Sequence, residues 1–148
     1  MSVTLDAFPM AVTAGARISF TDGFQSFRPR SGLSHEAVDI HAPEGTLVLS
    51  ATPGAVLHQW VTKKTPRRTM TGCGWSVAAG YIVLILDPWG YVHYYAHMLN
   101  FPLVRSGDQV AAGTPIGRVS NTGDIARTSR PHLHYQVWAR SAEMPSFR

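Results

Sequence analysis

The segment Tyr81-Ile-Val-Leu-Ile-Leu-Asp-Pro-Trp-Gly-Tyr-Val-His-Tyr-Tyr-Ala96 consists of two short runs rich in apolar residues on either side of a turn. Asp87, Pro88 and Gly90 stand at the first, second and fourth positions of that turn, which suits a type I β-turn. The run 81–86 is too short to cross a bilayer and has the length of a strand. The segment therefore predicts two strands joined by a tight turn.

The same alternation of apolar runs and turn residues continues on both sides of this segment, and no convincing helix is found. Further strands are predicted at Thr46–Ser50, Ala55–Trp60, Val110, Pro115–Val119 and His132–Ala139. Many short strands separated by glycine and proline are typical of an all-β sandwich or barrel. We expect an N-terminal segment at 1–31, a catalytic domain at 32–140 and a tail at 141–148.

Length, composition and charge narrow the class of protein. A chain of 148 residues that is 45% hydrophobic is large enough for one folded domain. Its formal charge of +4 favours polyanions. Its basic residues do not interleave with aromatics as in a nucleic-acid module, so no nucleic-acid partner is expected. Cys73 is the only cysteine, which excludes an intrachain disulfide and a Cys-rich zinc site. Neither a membrane span nor a signal peptide is visible.

One stretch interrupts the pattern of strands. Residues 62–79 are first basic and then glycine-rich, and they separate two predicted strands. The stretch is long for a hairpin connection, and long loops on β scaffolds often carry binding residues. A binding loop and an excursion without a role both remain open.

The residues with the clearest chemistry begin with a histidine pair on the last predicted strand. His132 and His134 are two residues apart, so they project from the same face of a strand. Leu133, Tyr135 and Val137 take the other face and can enter the core. The pair could be two metal ligands, one ligand with one proton carrier, or two surface histidines.

A second pair lies earlier in the chain. His35 and Asp39 are four residues apart and face the same side of either a strand or a helical turn. Val38 and Ile40 flank Asp39 with apolar side chains, which favours the strand. A loop carboxylate and an exposed histidine are the structural alternative. His41, two residues beyond Asp39, could also lie on that face.

A third segment contributes His97. On a regular strand it would share a face with His93 and Tyr95. His97 could instead be a hydrogen-bonded histidine at a strand end, and His93 and His58 are expected to be structural. Imidazole and carboxylate are ligands that zinc prefers, and a catalytic zinc site uses three protein ligands and a water. The set comprising His35, Asp39, His97, His132 and His134 exceeds that number. The surplus could do proton chemistry, which indicates a hydrolase.

The order H-x-x-x-D, then Y-x-H, then H-x-H resembles the LytM/lysostaphin-like zinc peptidases, the M23 family of peptidoglycan endopeptidases. The segments His35-Glu-Ala-Val-Asp-Ile-His-Ala-Pro-Glu-Gly-Thr46 and Ser106-Gly-Asp-Gln-Val-Ala-Ala-Gly-Thr-Pro-Ile-Gly117 are also similar to that family. The resemblance covers about Gly32 to Trp138. It implies a single-domain antiparallel fold of the barrel-sandwich type, like a duplicated hybrid motif, with long connecting loops.

The resemblance also implies roles for the five residues. His35, Asp39 and His134 would bind one Zn²⁺, while His97 and His132 would act as catalytic groups near the bound water and the scissile carbonyl. The implied substrate is a peptide cross-link or stem peptide of peptidoglycan. The protein would then act as a monomer in the cell envelope, in the periplasm or outside the cell.

The chain departs from the family pattern around the site. Ala37 stands where the family usually has glycine, and the stretch 122–131 is longer than usual, with Arg130 in place of another glycine. Arg127 and Arg130 could reach acidic groups of a peptide substrate or alter the groove wall. Tyr95 could line the site and bind substrate, or it could serve only in packing.

Three other classes compete with a peptidase. The segment 104–117 resembles biotinyl and lipoyl carrier domains, but those need a lysine at a tight turn and this half of the chain has none. Phosphocarrier domains of sugar permeases use paired histidines without a metal-binding aspartate, and Asp39 argues against them. A catalytically inactive LytM-like module that binds and regulates another wall hydrolase is the remaining alternative.

Overall fold

The computed structural model describes residues 5–12, 18–21, 24–27, 34–62, 68–124, 126 and 129–138. This part of the chain is all-β, as predicted, and contains no helix. The strands are β1 (Ser19–Thr21), β2 (Phe24–Phe27), β3 (Ser34–His41), β4 (Leu47–Leu49), β5 (Gly54–Val56), β6 (Gln59–Thr62), β7 (Arg68–Thr71), β8 (Cys73–Ser76), β9 (Gly80–Leu86), β10 (Val92–Met98), β11 (Gln109–Val110), β12 (Pro115–Arg118) and β13 (His132–Trp138).

A nine-stranded antiparallel sheet organises the fold. Its order is β1-β3-β13-β10-β9-β5-β11, with β2 added on β3 and β8 on β9. Two small sheets, β12-β4 and β6-β7, complete the described strands. The predicted strand–turn–strand unit is the pair β9 and β10, whose turn is closed by Gly90 N–H donating to Asp87 O at 3.2 Å. The sheet brings β3, β13 and β10 side by side.

Each face of this sheet packs differently because side chains alternate along every strand. On one face the main core gathers residues that include Val83, Ile85, Leu133, Tyr135 and Val137. The other face holds a smaller apolar cluster of Leu57, Ile82, Leu84, Val92, Tyr94 and Ala96. The predicted inward face of β13 is therefore confirmed. Each fully buried aliphatic side chain contributes about 2 kcal/mol to stability.

The alternation breaks near the end of β10. Tyr95 pairs with Val83 and Met98 pairs with Tyr81, so β10 advances three residues while β9 advances two. This is a β-bulge, which reverses the facing of the residues beyond it. Met98 is 0% exposed in the main core, and His97 lies on the opposite face. The prediction that His97 shares a face with His93 and Tyr95 is wrong because regular alternation does not continue to the strand end.

The described part of the interruption at 62–79 consists mostly of strands. Its described residues form β7, which pairs with β6, and β8, which pairs with β9. The predicted strand 55–60 is in turn divided into β5 and β6. Glycine and basic residues interrupt the apolar pattern here, so these strands are not predicted from the sequence. They form because β6 and β9 supply backbone hydrogen-bond partners.

The N-terminal residues contribute to the fold as well. β1 pairs with β3, and Met10 is 1% exposed within the main core. The division at residues 32 and 140 stays a prediction. Within the described chain no helix has the length and apolarity needed to cross a membrane.

Candidate active site

The regular pairing of β3 with β13 builds one half of the site. In this antiparallel ladder His134 lies directly opposite Asp39, and His132 lies directly opposite His41. Because directly opposed residues of neighbouring strands share a face, their side chains meet. Asp39 Oδ1 lies 2.9 Å from His134 Nδ1. The two sequence pairs are thus joined into one cluster.

The carboxylate of Asp39 is the negative centre of this cluster. Its hydrogen bond with His134 is the largest influence on its pKa, which lies below the ordinary value despite partial burial. His132 Nε2 is 3.9 Å from the same carboxylate oxygen. Asp39 is therefore ionised at neutral pH and attracts a cation or a protonated ring to this point.

His132 is held from the side away from Asp39. Its Nδ1 lies 2.9 Å from Arg130 O and 3.2 Å from Ser129 Oγ. A carbonyl oxygen only accepts hydrogen bonds, so the Nδ1 of His132 carries the hydrogen. In the neutral ring Nε2 then has the lone pair and faces the cluster.

His97 reaches the same cluster from the bulge on β10. Its ring centroid is 5.2 Å from that of His132 and 5.9 Å from that of His134. Its Nδ1 lies 2.8 Å from Thr122 O, so Nε2 again has the lone pair of the neutral ring. Burial is the main influence on the pKa of His97 and lowers it, which favours the neutral ring.

The backbone of His97 adopts an unusual conformation that its neighbours fix. With φ at 61° it is the non-glycine residue with positive φ among those described. Such a conformation costs about 1–3 kcal/mol and persists where surrounding contacts determine it. His97 N–H donates to Ala79 O at 2.8 Å. This bond ties the bulge to the turn between β8 and β9.

Thr122 secures the bulge from the other side. Its Oγ1 donates to Met98 O at 2.6 Å and accepts from Tyr81 N–H at 3.2 Å. Gly80, with φ at 69°, lies so close that a Cβ there would collide with Thr122. Thr122 therefore connects β9, β10 and the ring of His97.

The ring of His134 has further neighbours on its own face. Tyr94 lies edge-on to it, with ring centroids 5.8 Å apart, and Gln136 Oε1 is 3.3 Å from its Nε2. None of Tyr94, Gln136 and Thr122 is among the site residues predicted from the sequence. Gln136 could have been found, since it is two residues beyond His134 on the same strand face. Tyr94 could have been found only with the bulge known, and no sequence signal marks Thr122.

Two predicted substrate-binding residues have different outcomes. Tyr95 is 0% exposed, and its hydroxyl accepts a hydrogen bond from Ala51 N–H at 2.9 Å, so it is a core residue. The prediction that Tyr95 binds substrate is therefore wrong, because Tyr95 projects into the core before the bulge. Arg130 is exposed beside His132, and its role in binding stays a prediction. Arg127 lies outside the described residues.

Two other histidines differ in what surrounds them. His93 is fully buried and structural, with Nε2 3.0 Å from Asp87 Oδ2 and Nδ1 2.7 Å from Tyr135 Oη. His41 lies beside the cluster, its ring centroid 5.1 Å from that of His132. Neither ring nitrogen of His41 has a hydrogen-bond partner in the part of the chain described here.

The donors of the described cluster suit a metal in their chemistry. Asp39 supplies an ionised carboxylate and His134 an imidazole nitrogen facing it, a combination that zinc binds. Among the residues described, no group of three or more such side chains is arranged to hold a metal. His35 lies on β3 four positions before Asp39, and its side chain is outside the described part.

Comparison with known proteins identifies relatives of this chain. The sequence profile of peptidase family M23 matches residues 33–145. An uncharacterized metalloprotease of Buchnera aphidicola is 31% identical over 124 residues, which are 82% of this chain and 28% of that protein. The peptidoglycan DD-endopeptidase ShyA of Vibrio cholerae is 32% identical over 106 residues, or 72% of this chain and 20% of that protein.

Solved structures agree with the sequence comparison. The crystal structure of a zinc-containing peptidase from Vibrio cholerae superposes with a TM-score of 0.61 and 27% identity. That match covers 98% of this chain and 39% of the other chain. This chain spans between 15% and 29% of the lengths of the curated relatives it matches.

Proposed function

This chain belongs to peptidase family M23, and from that membership we propose that it is a zinc-dependent endopeptidase of the bacterial cell envelope. Its substrate would be a peptide cross-link or a stem peptide of peptidoglycan. The similarity to a peptidoglycan DD-endopeptidase supports the substrate class. The similarity to a zinc-containing peptidase supports the metal.

We propose that His35, Asp39 and His134 hold the zinc. The 2.9 Å approach of the Asp39 carboxylate to Nδ1 of His134 supports two of these ligands. The position of His35 on the same strand as Asp39 is compatible with the third. When bound, zinc supplies Lewis acidity at the substrate carbonyl and lowers the pKa of water to about 7.

The proton transfers of peptide hydrolysis would fall to His97 and His132. The carbonyls at Thr122 and Arg130 accept from Nδ1 of these rings and leave each Nε2 free to take a proton. A neutral ring accepts the proton of the attacking water, and a protonated ring donates to the leaving amine. Each ring can also stabilise the developing oxyanion when protonated.

Arg130 would contribute to substrate binding at the edge of the cluster. Its side chain is exposed next to His132. A guanidinium there can form a charge-assisted, bidentate hydrogen bond with a carboxylate of a stem peptide. The main chain of the same residue already orients His132.

The strongest support for the proposal is the arrangement of the clustered side chains. Three strands bring Asp39, His97, His132 and His134 together on one face of the sheet. The ring centroids of His132 and His134 lie within 5.9 Å of the ring centroid of His97. A structural cluster would have its ring nitrogens satisfied within the protein. Here the Nε2 atoms of His97 and His132 are the nitrogens that the backbone carbonyls leave open.

Digestion of purified peptidoglycan tests the function. The zinc-loaded protein should release fragments with new amine ends, identified by mass spectrometry. A His132→Ala variant, matched in zinc content, should release almost none. A wild-type protein that binds zinc and peptidoglycan but produces no new amine ends would contradict catalysis and support a regulatory module instead.

A further inference from the structure

An exposed row of aromatic rings lies outside the candidate site, where β8 ends and β9 begins. Trp75 lies edge-on to Tyr81 with ring centroids 5.0 Å apart, and Tyr81 is 5.8 Å from Phe101. Trp75 is 52% exposed and Phe101 is 75% exposed. Single apolar side chains on a surface are ordinary, but a contiguous exposed group marks a site of interaction. We call Trp75, Tyr81 and Phe101 the aromatic row.

The backbone of the sheet holds the aromatic row in place. Trp75 lies directly opposite Tyr81 in the ladder, so the two side chains share a face, and Tyr81 also packs against the main core. Phe101 follows β10 on a segment whose Leu99 and Leu103 N–H groups donate to carbonyls of β12. Because these contacts fix the rings before a ligand arrives, binding to them loses little conformational entropy.

The aromatic row is adjacent to the candidate site. Tyr81 pairs with Met98, the residue after His97, so the Cα atoms of Tyr81 and His97 lie within about 9 Å of each other. The turn between β8 and β9 also accepts the backbone N–H of His97 at Ala79 O, at 2.8 Å. The rings of Tyr81 and His97 lie on opposite faces of the sheet. A polymer bound at both would therefore pass over this turn.

The chemistry of the aromatic row suits an uncharged ligand that is rich in hydroxyl groups. The segments 72–86 and 99–104, which carry the three rings, contain no charged residue. Asn100, exposed beside Phe101, supplies an amide donor and acceptor. Sugar rings have C–H faces that pack against the negative faces of aromatic rings, and their hydroxyls bond to amides. An acidic or basic partner would find no charge of opposite sign on these segments.

We propose that the aromatic row binds the sugar chain of peptidoglycan while the candidate site acts on the attached peptide. This inference rests on the proposed function, whose substrate consists of sugar chains joined by peptides. A sugar chain held on the row would keep its stem peptide near His97 and raise the effective concentration of that peptide. It would also give a binding role to Trp75, which lies in the stretch 62–79 where the sequence leaves such a role open.

Binding of sugar chains without peptides tests the inference apart from catalysis. The probes are oligomers of β-1,4-linked N-acetylglucosamine, measured by calorimetry, and peptidoglycan stripped of stem peptides by an amidase, measured by co-sedimentation. Trp75→Ala and Phe101→Ala should each weaken binding about 10-fold, because each removes one stacking surface. Trp75→Phe should retain most of the affinity. Trp89→Ala is the matched control, since Trp89 is 55% exposed beyond the far end of β9, and should bind as the wild type does.

The outcomes separate this inference from the proposed peptidase. Equal binding by wild type and both alanine variants, or no binding of sugar chains by the folded wild type, would overturn the inference. A dimer in sedimentation that Trp75→Ala abolishes would assign the row to a second copy of the chain and also overturn it. Release of new amine ends without sugar binding would leave the peptidase intact, whereas sugar binding without that release would contradict the peptidase alone. Thermal unfolding identifies a variant that does not fold, and Phe101→Ala decides if Trp75→Ala is such a variant.

Discussion

The two halves of the candidate site are built in different ways. On one side, β3 and β13 form an uninterrupted ladder that sets His134 opposite Asp39. On the other side, a β-bulge and a left-handed backbone bring His97 into the cluster. The proposed metal ligands thus belong to regular structure, and one proposed proton carrier belongs to an irregular, strained segment.

The two halves differ in how many contacts hold their side chains in place. A ladder fixes side chains through many equivalent hydrogen bonds, so single changes nearby disturb it little. The bulge depends on a few contacts, chiefly the Ala79 bond to the backbone of His97 and the carbonyl and side chain of Thr122. The placement of His97 should therefore be easier to disturb than the placement of His134.

The largest expected effect separates the two proposed chemical roles. His97→Ala and His132→Ala should each lower kcat on peptidoglycan fragments by about 10²- to 10⁴-fold, since each removes a group that moves protons. Zinc content should remain that of the wild type, because neither ring is a proposed ligand. Loss of zinc in either variant, measured by metal analysis, would contradict the division of roles between zinc ligands and proton carriers.

A smaller effect is expected when the side-chain hydroxyls near the two proton carriers are removed one at a time. Thr122→Val removes a hydroxyl that bonds both Met98 O and Tyr81 N–H, so it should destabilise the fold by about 1–3 kcal/mol and lower kcat. Ser129→Ala is the matched change beside His132, where Arg130 O still holds Nδ1. It should alter unfolding and kcat much less. Equal losses in the two variants would show that the placement of His97 depends on single contacts no more than the placement of His132 does.

The amino-acid sequence predicts the two halves unequally, for a physical reason. Period-two alternation correctly directs Leu133, Tyr135 and Val137 to the core and leaves His132 and His134 on the opposite face. The same rule fails at His97 and therefore at Tyr95, because a bulge is selected by tertiary contacts such as those of Thr122. These contacts join residues far apart in the chain, and local pattern carries no record of them.

The strands β7 and β8 were not predicted from the sequence, for a related reason. β7 and β8 contain polar residues and glycine, and they form because β6 and β9 supply backbone partners. The residues with chemical roles were easier to predict than the residues that hold them in place. Imidazole and carboxylate are recognisable from residue type, whereas Gln136 and Thr122 become informative only through their contacts.

The smallest expected effect concerns the buried His93, on the regular part of β10 before the bulge, and the pH dependence of stability. Burial is the main cause that lowers the pKa of His93, even though Asp87 and, more weakly, Asp6 act to raise it. Below the ordinary pKa of about 6.5 the unfolded chain binds a proton that folded His93 resists, so stability should fall as the pH drops below that value. Thermal unfolding at pH 7.5 and 5.5 measures this, with activity loss expected only at the unfolding transition.

A His93→Gln variant serves as the comparison for that experiment. It should be less stable than wild type at pH 7.5, because Asp87 and Tyr135 lose the buried ring that joins them. Its stability should also change less between the two pH values. An unchanged pH dependence in this variant would assign the effect to other groups.

Zinc stoichiometry of three proteins tests the central claim most directly. Wild type and His97→Ala, purified, stripped of metal and reloaded, should each bind one zinc per chain, and His134→Ala should lose tight binding. This result would place a zinc ligand on the ladder and show that His97, on the bulge, is not a ligand. Tight zinc binding by His134→Ala, or its loss in His97→Ala, would contradict the account.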